Sequence, residues 1–520
     1  VVSSLRDRSS PNLASLKQQL RVLPRIPQGA RVQAARKFTH LLVDVTTNHD
    51  DPSWLNLLEF AYRVVHVSST VGVKSLSVSV KDNIVAYDRP LVLPSVSPKL
   101  HRHTLSDAQR GKTAESRLAS RGDLRGAGRL LSSTEALVSP HDMQTQQEMI
   151  LKHPAPHDDD IPPTLPAVSR PRHCSSDEVI VALRSFPPGT SGGVDGMTAQ
   201  HILDLVSVGG EVGRLLLENL SGVCDLIARG LIPDSVRDTL YSSCLVAASK
   251  PGGGLRPIAV GATLRRLTAK ILLARVRGSA AAYLSPRQLG FGTRGGSEIA
   301  VHATRTFLAE NNRAVMVKID FKNAFNSHRR DTMLKQTHER FPEIYPMVNQ
   351  AYHRPAPISF GDCVIQSQTW CQQGDVFSPL LFCLVVHGTL ERLTSEIAMG
   401  YLDDFTLISA DPQTLIDDIR LIQADFLTHG LQVQPSKCEV FIQGFPTVEQ
   451  DNIFGLISDS LPGCRLLSNA EDVDLLGSPV FEAGVPKALK MKSEAYEIIF
   501  QRLAYVGSHV ATYILQRSAG

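Results

Sequence analysis

No stretch of 18 uninterrupted apolar residues occurs in the chain, so no membrane-spanning helix is expected. The first residues, Val1-Val2-Ser3-Ser4-Leu5-Arg6, have no apolar signal core and no initiator methionine. They read as the start of a fragment, a conceptual translation or a processed chain. Eight cysteines are scattered singly without a C-x-x-C pair. That argues against a zinc knuckle and a disulfide framework, and for a reducing compartment. Net charge is scarce too, at +3 over 520 residues. The balance hides an asymmetry: residues 250–330 carry fifteen Lys/Arg against three acids. Such a block is the footprint of a phosphate backbone, with an ordinary solvated surface as the plainer alternative. The chain is 42% apolar and 20% charged, so it should bury a core. Its length suits about two to four domains.

Met399-Gly400-Tyr401-Leu402-Asp403-Asp404-Phe405-Thr406-Leu407-Ile408 sets an acidic pair between two runs of strand formers. The pattern predicts a tight hairpin with its charges at the bend. Adjacent side chains on a strand point to opposite faces, so a bend lets both acids serve one site. A bare Asp-Asp ordinarily marks only a solvated turn. About eighty residues upstream, however, Val315-Met316-Val317-Lys318-Ile319-Asp320-Phe321 is a strand pattern ending in a third acid. Three carboxylates at the ends of short buried strands can hold two divalent cations about 3.5–4 Å apart, the arrangement that drives in-line phosphoryl transfer.

Tyr401-Leu402-Asp403-Asp404 resembles the YxDD box of reverse transcriptases. Lys318-Ile319-Asp320-Phe321-Lys322-Asn323-Ala324-Phe325 resembles their first catalytic motif. Between them, Gln372-Gln373-Gly374-Asp375 with Ser378-Pro379-Leu380-Leu381-Phe382 resembles the motif that packs against template and nucleotide. Order and spacing match the palm of that family. Gly193-Val194-Asp195-Gly196 is similar to the GxDG motif of non-LTR retrotransposon and group II intron enzymes; a helix-capping turn is its plain alternative. The resemblance spans residues 176–480.

From the N-terminus, residues 30–43 and 53–65 have helical apolar spacing. Residues 25–31 (RIPQGAR) resemble a segment upstream of the polymerase in some metazoan retroelement proteins, where a basic helix could touch RNA. The Val/Ser/Thr-rich residues 67–100 suit strands or an unpacked insertion. Residues 101–175 are polar, with His101, His103 and a His153–Asp160 cluster that has metal-binding residue types without ligand spacing. The Pro-rich stretch 154–171 reads as a linker. Acids at Asp177 and Glu178 open a helix, and another is expected over 199–207. Residues 244–250 and 255–260 form a hairpin with a glycine-rich tip, flanked by Lys250 and Arg256, two cations that suit a triphosphate. Residues 264–276 form an amphipathic helix with Arg265, Arg266, Lys270 and Arg275 on its polar side. Residues 297–309 form another helix. Residues 329–370 suit a helix and two strands. Ser378 and Pro379 suit N-cap and N1 of a helix. Asp411-Pro412 starts one that buries Leu415, Ile419, Ile422 and Phe426 and ends at Gly430. Residues 485–517 look helical.

The resemblance implies an α+β right-hand polymerase with palm and fingers, a partial thumb and a helical N-terminal region. The implied divisions are 1–66 helical, 67–175 irregular or linker, 176–319 N-terminal extension and fingers, 320–480 palm with primer-grip turn, and 481–520 the start of a truncated thumb. It implies that Asp320, Asp403, Asp404 and the Phe321 carbonyl hold two Mg²⁺ ions, with Mn²⁺ as the alternative. Lys250, Arg256 and the amides around Asn323 and Ala324 would take the triphosphate. Gln373 and Gly374 would lie against the nucleotide. Phe325 would exclude a ribose 2′-hydroxyl. Gln288, Gly290 and Phe291, in a QxGF-like segment, would hold the template. Tyr401, with Leu476 and Gly477 in a primer-grip turn, would serve template and primer. Lys437 is the candidate general acid for pyrophosphate. Phe377 is bulky where the family keeps a small residue. No RNase H, endonuclease or zinc-finger region is recognised.

The implied activity is RNA-directed DNA synthesis of the non-LTR retrotransposon type, with an RNA template, a DNA or RNA primer and dNTPs as partners. Neither a membrane nor a protein partner is implied; the nucleus is expected from the family. Two alternatives stand: a degenerate copy that only binds nucleic acid, favoured by Phe377, residues 67–100 and the short thumb, and an RNA-dependent RNA polymerase, against which Phe325 and the GxDG segment speak.

Overall fold

The computed structural model describes residues 13–67, 75–91, 93, 105–133, 138–166, 169–250 and 253–518. His101, His103, Pro251 and Gly252 lie outside them, as do residues 68–74, 92 and 94–100 of the Val/Ser/Thr-rich run. The described strands, in chain order, are β1 (Ser243–Ser249), β2 (Leu255–Gly261), β3 (Ala314–Ile319), β4 (Ala356–Phe360), β5 (Cys363–Ser367), β6 (Ile397–Tyr401), β7 (Asp404–Ser409), β8 (Glu439–Gln443), β9 (Arg465–Leu467), β10 (Asp474–Leu475) and β11 (Ser478–Pro479).

The central sheet has the order β6-β7-β3-β8-β9 and is antiparallel except between β8 and β9. On β3, Val315, Val317 and Ile319 face the main core, whereas Ala314 and Met316 join a second cluster on the opposite face. Burial on both faces accounts for the near-continuous apolar run of this strand. Helices Arg330–Arg340, Ser378–Arg392 and Pro412–Thr428 pack behind the sheet. The last begins where Asp411 accepts from the Gln413 and Thr414 amides, and its Leu415, Ile419, Ile422 and Phe426 are buried as their spacing predicts. Helix Gly296–Glu310 covers part of the front face. The hairpin β1–β2 belongs to a second sheet, β2-β1-β4-β5. Two helices, Arg330–Arg340 and Tyr345–Tyr352, precede β4 where one was expected.

Several expectations are corrected. Phe377, not Ser378, holds the N-cap position of Ser378–Arg392; the Ser378 hydroxyl accepts from the Cys371 thiol (2.9 Å). Residues 67–175 contain helices Leu76–Val85, Asp107–Arg121, Leu124–Ser132 and Met143–Leu151. The first is capped by Ser75 and buries Val80; tertiary packing overrides the β propensity of its valines. Residues 154–166 of the Pro-rich stretch are tied to the folded body rather than forming a free linker. Pro154 accepts from Thr369 Oγ1 (3.3 Å), and His338 Nε2 lies 2.9 Å from the Pro166 carbonyl. In the His/Asp cluster, Asp160 accepts the Arg330 and Asp331 amides (3.2 and 3.0 Å) and so caps a helix. Arg25 and Arg31 both pair with buried Asp204, at 2.8 and 2.9 Å, so the basic N-terminal segment is spent on docking.

Helices Val485–Leu503 and Ser508–Ser518 pack against Asp107–Arg121 and Leu124–Ser132 around Ala114, Ala127, Leu131, Leu503, Val506 and Ile514. Arg502 locks the bundle, pairing with Asp107 at 2.7 Å and donating to the Leu131 and Ser133 carbonyls. The thumb-like helices thus find bundle partners from the other end of the sequence.

The GxDG turn is enclosed by its own chain. Lys17 donates to the Gly192 and Gly193 carbonyls (2.8 and 2.6 Å), and Tyr62 to that of Val194 (2.6 Å). A β-carbon on Gly193 would lie 2.6 Å from the Ala262 nitrogen, so only glycine fits. Asp195 is buried, and burial pushes its carboxyl up to about 6 despite the nearby Arg266 and Lys17 charges. Its unfolded value is about 3.9, so the folded chain holds the extra proton between these values. The stability this group contributes is full below about pH 4 and is lost as the pH rises through about 6. Asp195→Asn is therefore expected to gain about 3 kcal/mol over wild type at pH 8 relative to pH 4, at 1.36 kcal/mol per pKa unit. Urea unfolding at both pH values checks this, and a pH-independent difference contradicts it.

Candidate active site

The acid pair sits at a tight bend. Tyr401 pairs with Asp404 across the β6–β7 hairpin, leaving Leu402 and Asp403 at the bend. Leu402 has φ +57°, a left-handed conformation uncommon outside glycine. A residue in that conformation cannot continue the ladder, so its amide groups need another partner. Gln288 supplies it: its Oε1 accepts the Leu402 N–H (2.8 Å) and its Nε2 donates to the Leu402 carbonyl (3.2 Å). Leu289 N–H donates to Gly400 O (2.7 Å), and Gly400 N–H to Arg287 O (2.8 Å). A β-carbon on Gly290 would lie 2.4 Å from the Leu402 nitrogen. Gln288 and Phe291 are buried. Residues 288–291, expected at the template, thus pack as a brace for the carboxylate turn. Gln288→Leu would orphan both Leu402 groups, at a cost of about 1–3 kcal/mol. Faster hydrogen exchange at the Leu402 amide is expected; unchanged protection would rule out the brace.

β3 pairs with β7 up to Ile319 opposite Phe405, which sets Asp320 and Asp404 side by side one step further on. Both lie on the face of Lys318 and Thr406. They line a cleft of about 580 Å³ with Lys437, Glu439 and the turn Leu475-Leu476-Gly477. That turn bends between β10 and β11, with Leu476 and Gly477 at φ +49° and +79°. Lys437 Nζ lies 3.8 Å from Asp320 Oδ1.

All three carboxyls ionise less readily than usual. Burial raises Asp320, with Lys437 and Lys250 pulling the other way. Burial and the Asp320 charge raise Asp403. Asp404 reaches solvent through the cleft, yet crowding by protein, then Asp403 and Asp320, push it up to about 6. Arg256 offsets part of the shift at both members of the pair. Lys250 is held below the usual lysine range by burial and by Lys437, Lys152 and Arg256. The fingers hairpin and the palm therefore bring Lys250, Arg256, Lys437 and the three acids into one electrostatic neighbourhood. Among the described residues, no group of three or more His, Cys, Asp and Glu side chains is placed to hold a metal ion. In charge and donor type, three clustered carboxylates suit a hard divalent cation.

The other expected site residues are placed as follows. Phe321 packs inward on Phe405 and Phe426. Its bridge to Val433 is made by the neighbouring groups, Lys322 N–H to Gln432 O and Gln434 N–H to Asp320 O, so that bridge does not use the Phe321 carbonyl. Ala324 is buried, and Asn323 Nδ2 donates to the Lys152 carbonyl (3.2 Å). Phe325 is half-buried on Phe382, ring centroids 4.9 Å apart. The Gln373 carbonyl accepts the Ala259 N–H (2.7 Å), tying the Gln373-Gly374 turn to β2. Phe377 is buried in the core.

Sequence reasoning missed the group that fixes this turn. Arg265, expected on a polar helix face, is buried and pairs with Asp375. It also donates to Tyr241 O (2.8 Å), Gln372 Oε1 (2.9 Å) and the Tyr352 hydroxyl (2.9 Å). The basic block is largely structural. Besides Arg265, the side chains of Arg266, Arg275, Arg287, Arg305, Lys318, Arg329 and Arg330 bond carboxylates or carbonyls of the chain itself.

Carboxylates at the ends of central strands, in one electrostatic neighbourhood with a basic two-stranded hairpin, match the palm-and-fingers arrangement of a right-hand polymerase. Residues 248–480 match the family described as reverse transcriptase (RNA-dependent DNA polymerase), and the chain carries a reverse transcriptase domain. No curated protein matches the sequence. Among 317 matching solved chains is a telomerase from Candida albicans in complex with a TWJ fragment of telomeric RNA. It is 11% identical with a TM-score of 0.33, and the match covers 51% of this chain and 48% of that one. No helix among the described residues is long and apolar enough to cross a membrane.

Proposed function

We propose that this chain is an RNA-directed DNA polymerase of the non-LTR retrotransposon type, which adds dNTPs to a primer 3′-hydroxyl on an RNA template. The observation that carries this reading is the strand register setting Asp320 beside Asp404 on the open face of a reverse transcriptase palm, with Asp403 in the adjoining loop. Asp320, Asp403, Asp404 and the Phe321 carbonyl would hold Mg²⁺. Bound there, the ions supply a lowered pKa at the primer hydroxyl and a counter-charge for the triphosphate.

The chain's own groups do the rest. Lys250 and Arg256 grip the phosphates. Lys437, beside Asp320, is positioned to protonate the departing pyrophosphate. The Phe325 ring closes the space a 2′-hydroxyl would need. The Leu476-Gly477 turn, in the same cleft as Asp320 and Asp404, directs the primer end, and Tyr401 supports it from β6. Gln373 holds the nucleotide side through its tie to β2. Nuclear residence follows from the retrotransposon reading.

Features that favoured a binding-only copy find places in the fold: Phe377 fills the core, residues 76–85 of the 67–100 run form a packed helix, and the thumb-like helices gain bundle partners. Mg²⁺-dependent primer extension on an RNA template tests the reading. Extension with dNTPs, not NTPs, is expected. Equal use of NTPs would favour an RNA polymerase, and salt-sensitive RNA binding without extension would favour the binding-only copy.

A further inference from the structure

Residues 143–154 cross from the fingers to the palm, outside the matched domain. Helix Met143–Leu151 seats Met149 in the apolar cluster of β1, β2, β4 and β5. Glu148 Oε1 accepts the Leu255 N–H (3.0 Å), where β2 begins opposite Ser249 and so beside Lys250. At the other end, the Lys152 carbonyl accepts Asn323 Nδ2 (3.2 Å), in the turn that follows Asp320. Pro154 is held by Thr369. These anchors fix the Lys152 backbone between the root of the basic hairpin and the catalytic strand.

The Lys152 ammonium is only loosely engaged. It lies 3.4 Å from Glu148 of the preceding helix, with the two side chains 24% and 37% exposed, and part-exposed pairs hold weakly. Glu148 Oε1 holds the ammonium at the start of β2, where Lys152, Arg256 and Lys437 all act through space on Lys250, and Lys437 lies 3.8 Å from Asp320. Like charges in one neighbourhood repel one another even with Asp320 and Glu148 beside them, and a bound polyanion would offset that repulsion.

We propose that Lys152 is a nucleotide-binding residue, its ammonium contacting the triphosphate of the incoming dNTP beside Lys250 and Arg256. The proposal rests on the polymerase reading and adds to it a ligand-binding group from a segment preceding the reverse transcriptase domain. Lys152 does no bond chemistry; it holds charge.

The test uses the full chain bound to a chain-terminated primer on an RNA template in Mg²⁺. The next dNTP is titrated until half the complexes resist a competitor trap. Lys152→Gln is expected to raise that concentration about tenfold, the worth of one charge-assisted contact. Lys152→Arg should stay within about threefold of wild type, since it keeps the charge. Affinity for primer and template, and the thermal midpoint, should not move. Glu148→Gln frees the ammonium while keeping an acceptor for Leu255, so dNTP binding should hold or tighten. An unchanged dNTP requirement in Lys152→Gln, or a loss confined to primer–template affinity, would overturn the proposal and leave the polymerase reading intact. Weaker dNTP binding in Glu148→Gln would do the same, and applies even if Lys152→Gln fails to fold. A wild-type chain that neither extends a primer nor retains dNTP would overturn the polymerase reading and this proposal with it.

Discussion

Asp403→Asn is expected to reduce primer extension by at least about a thousandfold, because a carboxylate that places a divalent cation is worth several kcal/mol of transition-state charge stabilisation and each 1.36 kcal/mol is a factor of ten. Asparagine keeps the size of the side chain, and the Gln288 brace acts through the Leu402 backbone rather than the carboxylate. The loop should therefore keep its shape. Removing a negative charge from a neighbourhood where the acids already raise one another's pKa should not weaken nucleic-acid binding. The expected pattern is lost extension with retained RNA affinity and an unchanged unfolding midpoint. Extension within tenfold of wild type would remove Asp403 from the site and with it the two-metal reading.

The second large effect concerns stability. Arg265→Ala or Asp375→Ala alone should cost about 3–5 kcal/mol, because each leaves a buried charge without its partner. The Arg265 guanidinium also holds Tyr241, Gln372 and Tyr352, so its loss loosens the turn that carries Gln373. Replacing both together, Arg265→Met with Asp375→Leu, should cost much less than the sum, since no lone charge remains. Urea midpoints of the four proteins decide the matter. Additive losses would show that the two groups do not act as a pair. Primer extension should fall further in Asp375→Ala than its stability loss explains, because Tyr352 and Arg265 then lose the acceptor that aligns the turn.

The candidate site was legible where chemistry is local in sequence. A strand ending in Asp320 and a bend at Asp403-Asp404 announce themselves through alternation and adjacency, and the register joins them as the pattern requires. Helix starts at Asp177-Glu178 and at Asp411 were readable because acids in a first turn and a cap both act within three residues. The role of Gln288 was not readable, because its partner is the backbone of Leu402, 114 residues on, and a backbone contact leaves no mark on the partner's identity. Nor was the use of the basic block. Composition counts cations, but only packing shows that Arg265 faces Asp375 and Arg275 faces Glu178.

The sequence by itself determined the α+β class, the three carboxylates, the basic hairpin and most helix positions, because periodicity, propensity and capping act over one or two turns of chain. Only the tertiary structure decided which charges stay available. It set Arg502 against Asp107 across 395 residues, turned residues 107–132 into partners of the thumb-like helices, and brought Lys152 to the edge of the active site. Ion pairs and hydrogen bonds are short-ranged in space and indifferent to separation along the chain, so these assignments exist only once the chain is folded.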